Sequence, residues 1–99
     1  MDIEQIKCFC SAAEIKNFSA AAEENNISQS SLSKKIMALE NELRVKLFDR
    51  NRRAVSLTQA GEIFFVHARR ILTQYESMMG LLVRQCPLPL RLFLFAGSP

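Results

Sequence analysis

The chain has 99 residues, 48% hydrophobic and 23% charged, with three Gly, three Pro, seven Phe and no Trp. Such a balance describes one small globular domain; it excludes a large enzyme with separate cofactor and substrate lobes, and it excludes a linker or a disordered tail. The net charge of +3 is modest, so its meaning lies in where the basic residues fall.

The first residues carry acids, Asp2 and Glu4, where a secretory signal would carry lysines, and no apolar run reaches the roughly 18 residues that span a bilayer. The expectation is an intracellular, cytoplasmic chain with no membrane partner. Over residues 2–16, Ile3, Ile6, Phe9 or Cys10, and Ala13 recur at helical spacing, which predicts an amphipathic first helix with Asp2 and Glu4 at its positive end. Cys8 and Cys10 would point to nearly opposite faces of that helix and cannot bridge each other. With Cys86 they make an odd count, and they read as plain thiols. No metal site is expected, because His67 is the single histidine and no Cys pair has zinc-ligand spacing.

Asn17 interrupts the first helix, and Ser19 is placed to cap a short second one through Ala20, Ala21, Ala22, Glu23 and Glu24, whose alanines allow close approach of another helix. Asn25 and Asn26 end it, since asparagine tolerates the left-handed conformation of a tight stop. Ser28 then caps a third helix with a buried stripe of Leu32, Ile36, Leu39 and Leu43. Its opposite side carries Ser30, Lys34, Met37 and Asn41, with Ser33 on the flank and Gln29 in the first turn. Two short helices joined by a tight turn, the second presenting Gln, Ser and Lys, match how a helix-turn-helix reads the major groove of DNA.

Residues 34–53 hold seven basic residues, Lys34, Lys35, Arg44, Lys46, Arg50, Arg52 and Arg53, against three acids, whereas residues 1–33 hold two bases and five acids. More than half of all the basic residues therefore fall in twenty positions, as a polyanion-binding surface requires. Within this stretch Val45 and Leu47, then Val55 and Leu57, form two short alternating runs around Asp49, Arg50, Asn51, Arg52 and Arg53. That pattern predicts a small β-hairpin with a basic tip, suited to phosphates or a narrow minor groove.

Thr58 is placed to cap a fourth helix of some 27 residues, about 40 Å long at 1.5 Å per residue, since no Pro occurs before Pro87. Phe64, Ala68, Ile71, Tyr75, Met78 and Leu82 alternate at steps of four and three, the seam of a coiled coil or packed helix pair, which predicts a homodimer. Packing of one long helix on a single domain is the alternative. Ile63, Phe65, Leu72, Met79 and Val83 widen this face, as though it met both its own domain and a partner. His67 has no nucleophile and orienting acid beside it in sequence, so it reads as a partly buried packing residue and the chain as no enzyme. Residues 87–99 break the helix and read as a buried strand with no sheet to join, the start of a truncated second domain.

Several runs share an order and spacing with a known family: Phe18-Ser19-Ala20-Ala21-Ala22, Ile27-Ser28-Gln29-Ser30-Ser31-Leu32-Ser33, Leu39-Glu40, Leu47-Phe48-Asp49-Arg50, and Arg53-Ala54-Val55-Ser56-Leu57-Thr58-Gln59-Ala60-Gly61. Over residues 1 to about 85 the chain resembles the DNA-binding region of LysR-type transcriptional regulators, and residues 90–99 resemble the first strand of that family's effector-binding domain. The resemblance implies a mostly α fold: a winged helix-turn-helix over 1–57, a linker and dimerisation helix over 58–86, and the start of an effector-binding domain over 87–99. It implies a bacterial regulator whose small-molecule effector binds only in the missing domain, with no cofactor in this fragment. By the same match Gln29, Ser30, Ser31, Ser33 and Lys34 approach bases or phosphates. Arg50, Arg52 and Arg53 lie against the backbone and minor groove, and Thr58 meets a phosphate unless capping alone explains it. Lys35 and Lys46 are expected to neutralise phosphates beside them. Two positions depart from the family pattern: Ser30 stands where Pro is common, and Arg44 where Gly is common, so the turn before the wing must avoid a positive φ or bear strain. A second reading is a dimerising interaction fragment that pairs with full-length relatives through the 64–82 seam.

Overall fold

Why the chain turns where it does is set by its caps. In the computed structural model, which describes residues 1–51 and 54–85, four helices follow one another: α1 (Ile3–Ile15), α2 (Phe18–Glu24), α3 (Gln29–Leu43) and α4 (Gln59–Gln85). Asp2 caps α1 by accepting the Gln5 N–H, and the Gln5 side chain accepts the Asp2 N–H in return, so two amides at this end are satisfied reciprocally. At its other end α1 closes on Lys16 in the left-handed region, φ 60°. The break thus falls one residue before Asn17.

Asn17, not Ser19, caps α2: its side-chain oxygen accepts the Ala20 N–H at 2.9 Å. The expected cap is therefore displaced by two residues, because an asparagine placed just ahead of the helix reaches the third amide first. Ser19 becomes a residue of the first turn with its hydroxyl available for other work. Asn26 supplies the left-handed turn between α2 and α3, φ 58°, and Ser28 caps α3 by accepting the Ser31 N–H.

α1 packs against all three other helices, and α2 against α3. This central position buries consecutive residues from Cys8 to Ala13, not a single stripe, so Cys8 and Cys10 are both enclosed although they face opposite ways. Phe9 stands at the middle with no exposure, its ring 5.0 Å from that of Phe64, 5.4 Å from Phe48 and 6.2 Å from Phe65. Phe18 meets Phe48 edge-on at 5.3 Å. Tilted aromatic contacts of this kind add about 0.5–1.5 kcal/mol each beyond the burial of area. The stripe of α3 behaves as its spacing predicts: Leu32, Ile36 and Leu39 are fully buried, and Leu43 packs on the core from the edge.

Between α3 and α4 the expected hairpin is reduced, among the described residues, to one antiparallel bridge between Phe48 and Leu57. Two further bonds tie the same segments, Asp49 N–H to Ser56 C=O and Thr58 N–H to Leu47 C=O, each at 2.9 Å. Leu47 and Phe48 point inward, whereas Val45 is exposed. Arg52 and Arg53, together with residues 86–99, lie outside the described residues, and with them the wing tip and the expected final strand. No described helix is long and apolar enough to cross a membrane.

Candidate nucleic-acid interface

The outward side of α3 gathers the polar residues that the sequence assigns to it. Gln29, Ser30, Lys34, Met37 and Asn41 are exposed, and Ser31, Ser33 and Lys35 are half-buried along its flanks. The first turn is a small hydroxyl network: Ser28 Oγ lies 3.2 Å from Ser30 Oγ, donates to Ser31 Oγ at 3.0 Å, and accepts the Ser31 N–H. Ser30 occupies this turn without distorting it, so the absence of proline there leaves the start of α3 intact.

Gln29, the first residue of α3, is held from outside the helix. The Ser19 hydroxyl donates to Gln29 Oε1 at 2.6 Å, linking the first turn of α2 to the first turn of α3.

The wing is fixed to α3 by Glu40, whose carboxylate is buried. Its Oε2 accepts the backbone N–H groups of Leu47 at 2.8 Å and Phe48 at 3.2 Å, and its Oε1 meets Arg50 Nη2 at 3.3 Å. The Arg50 guanidinium also lies over the Phe18 ring, 5.6 Å from its centroid. Burying a carboxylate is costly unless its lone pairs are satisfied, and here two amides and one cation satisfy them. Arg50 is therefore both half-exposed at the wing and engaged with the protein beneath it. The sequence singled out Glu40 only as part of a family motif; its bracing role became visible with the two amides it accepts.

Arg44 closes α3 in the left-handed region, φ 59°, so the turn before the wing carries strain that a glycine would not. Thr58 is occupied on both sides of its hydroxyl: it accepts the Gly61 N–H and donates to the Lys46 carbonyl at 2.6 Å. Capping thus accounts for its side chain, and Lys46, whose carbonyl accepts the Thr58 hydroxyl, is itself exposed.

Along α4 the six seam residues divide. Phe64 packs on Phe9, Ala68 is fully buried, and Tyr75 lies under Lys7 Nζ at 5.5 Å, so these three face their own domain. Ile71, Met78 and Leu82 are exposed, and with Ile63 and Leu81 they make a second apolar stripe within roughly 100° of the helix circumference. His67 is exposed, not partly buried, because it lies on that outer side. Among the described residues no group of three or more His, Cys, Asp and Glu is placed to hold a metal ion.

Comparison with known proteins bears on this geometry. Residues 3–62 match the model of the bacterial regulatory helix-turn-helix proteins of the lysR family. The HTH-type transcriptional activator IlvY of Salmonella typhimurium is 39% identical over 87 residues, which are 88% of this chain and 30% of the relative. TfdT of Cupriavidus pinatubonensis, an HTH-type transcriptional regulator, is 44% identical over 72 residues, 73% of this chain and 32% of the relative. The chain therefore spans about a third of the length of these curated relatives. Among solved structures, the BenM DNA-binding domain in complex with its catB site 1 DNA superposes with a TM-score of 0.80 at 31% identity, covering 85% of this chain and 94% of that one. DarR of Vibrio fischeri, also solved with DNA, gives 0.79 at 30% identity over 86% of this chain and 29% of that one. The four helices and the bridge between Phe48 and Leu57 are thus those of a winged helix-turn-helix, and the chain belongs to the LysR family of bacterial regulatory helix-turn-helix proteins.

Proposed function

We propose that this chain binds double-stranded DNA in a sequence-specific manner, as the DNA-binding region of a transcriptional regulator. The observation that carries this reading is the outer face of α3, a row of short polar and basic side chains backed by a fully buried stripe. Such a helix enters the major groove without exposing its core. Gln29 and Ser33 face base edges; Ser30, Ser31, Lys34, Lys35 and Lys46 set the register on phosphates; Arg50, Arg52 and Arg53 bring the wing to the backbone and minor groove. Relatives solved in complex with DNA, at about 30% identity over most of this chain, support the DNA-binding reading.

The apolar stripe of Ile63, Ile71, Met78, Leu81 and Leu82 suits a second copy of α4, so that α4 acts as a linker helix joining two domains. Two recognition helices then meet an interrupted inverted repeat, with half-sites one or more DNA turns apart. That stripe also favours a second reading, a fragment that pairs with full-length relatives and acts through assembly alone.

Anisotropy titrations of duplexes selected from a random pool, repeated from about 50 to 200 mM salt, separate the two. A DNA-binding domain shows a steep negative salt slope, and changing Arg50, Arg52 and Arg53 together to Ala flattens it. Absence of duplex binding at the lowest salt defeats the proposal; regulatory activity that survives the triple change favours the assembly reading.

A further inference from the structure

Gln29 is the residue of α3 with the longest polar reach at the groove end of the helix, and its contact with Ser19 is unlike the others in the first turn. Ser28, Ser30 and Ser31 bond to one another within α3. The Ser19 hydroxyl comes from α2, whose capping is already carried out by Asn17, so no local backbone group claims it. It donates to Gln29 Oε1 at 2.6 Å while both residues remain exposed.

We propose that Ser19 is a specificity-positioning residue: by holding Oε1 of Gln29 it turns the Nε2 amino group toward the groove and makes Gln29 a donor to a purine N7. The inference rests on the DNA-binding reading given above and adds to it a residue that touches no base. A free glutamine side chain has three rotatable bonds and an amide that presents either its oxygen or its amino group. One bond from a neighbouring helix removes most of this freedom before docking, so the ordering cost is not charged against the base contact. On the free surface water competes with the Ser19 bond. Once the helix fills the groove and water leaves, the same bond is stronger and opposes reversal of the amide. The amino group facing outward needs an acceptor, and purine N7 is the one that both guanine and adenine offer in the major groove.

The test uses the full chain on a duplex selected from a random pool, at the base pair whose identity ceases to matter in Gln29→Ala. Ser19→Ala is expected to lower the preference at that base pair roughly 3- to 10-fold, with the salt slope and melting temperature unchanged. Ser19→Thr, which keeps the hydroxyl, is expected to retain the preference. A 7-deazapurine at that base pair should weaken wild-type binding and leave Gln29→Ala unaffected. Full preference in Ser19→Ala beside its loss in Gln29→Ala overturns the positioning role and leaves the DNA reading standing. Wild-type indifference to the 7-deazapurine overturns the N7 contact, and so does a selected site at which Gln29→Ala changes no preference. A chain that binds no duplex fails the DNA reading and takes this inference with it.

Discussion

The Cα of Gly61 faces the carbonyl of Leu47 so closely that a Cβ built on it would stand 2.0 Å from that oxygen. The same oxygen accepts the Thr58 N–H at 2.9 Å, so the first turn of α4 is seated directly on the backbone that leads into the wing. A backbone atom cannot move aside as a side-chain tip can. Gly61→Ala is expected to destabilise the domain by about 1–3 kcal/mol or more through overpacking, read as a lower urea midpoint at unchanged slope. A midpoint equal to that of the wild type would show that α4 can shift off Leu47 without loss.

Arg44 offers the opposite case. Its φ of 59° costs a residue with a Cβ roughly 1 kcal/mol or more. Arg44→Gly relieves this while adding freedom to the unfolded chain, for an expected net gain of about 0.5–1 kcal/mol. Thermal unfolding would show it as a rise of a few degrees; a fall in melting temperature would mean that the arginine side chain contributes more than its backbone costs.

Glu40 and Arg50 separate bracing from DNA contact. Glu40→Ala leaves the N–H groups of Leu47 and Phe48 without their buried acceptor, with an expected cost of about 2–4 kcal/mol. Arg50→Ala removes a charge that Glu40 already balances, so its effect on the salt slope should be smaller than that of Lys34→Ala, which should approach 0.9 for a single phosphate contact. Equal slope changes in the two variants would place Arg50 on a phosphate in full.

The two sides of α4 give a further contrast. Ile71→Glu or Leu82→Glu is expected to weaken self-association in sedimentation equilibrium while the melting temperature of the monomeric domain holds, because both side chains are exposed. Ala68→Glu, at a position with no exposure, should unfold the domain instead. If Ile71→Glu leaves the oligomeric state untouched, the outer stripe is not where copies meet.

Burial raises the Cys10 thiol to about 11, assisted by the Glu14 carboxylate, and raises Cys8 as well, again chiefly by burial. Both thiols therefore stay protonated in the folded chain while unfolded thiols ionise near 9. The unfolded state then binds fewer protons than the native one above that pH. Stability is full below pH 9 and falls as pH rises toward about 11, a loss that Cys10→Ala should lessen in its pH dependence. At neutral pH Cys8 and Cys10 should react with iodoacetamide far more slowly in the native chain than in denaturant; rapid native labelling of either, located by peptide mapping, would contradict their enclosure.

Much of this architecture was legible from spacing alone. The stripe of Leu32, Ile36 and Leu39 fixed which side of α3 is buried and hence which side carries Gln29 and Lys34. Asn26 took the left-handed turn that its side chain tolerates. Periodicity failed where a helix has more than one neighbour: α1 is enclosed on several sides, so one stripe underestimates its burial, and α4 presents two stripes whose residues interleave in sequence. The cap of α2 was misplaced because Asn17 and Ser19 are both good cap residues, and only the amide of Ala20 decides between them. The bond from Ser19 to Gln29 joins residues ten apart on different helices, and no local pattern announces it.

Leu47 gives its N–H to Glu40 of α3 and its C=O accepts from Thr58 at the head of α4, so one buried residue serves as the pin between α3 and α4. A lever some 40 Å long turns a tilt of about 5° at that pin into a displacement of about 3.5 Å at its far end. If two copies join along α4 as proposed, the distance they tolerate between half-sites would be governed at the pin, and a small change in how α3 settles would be magnified along the arm.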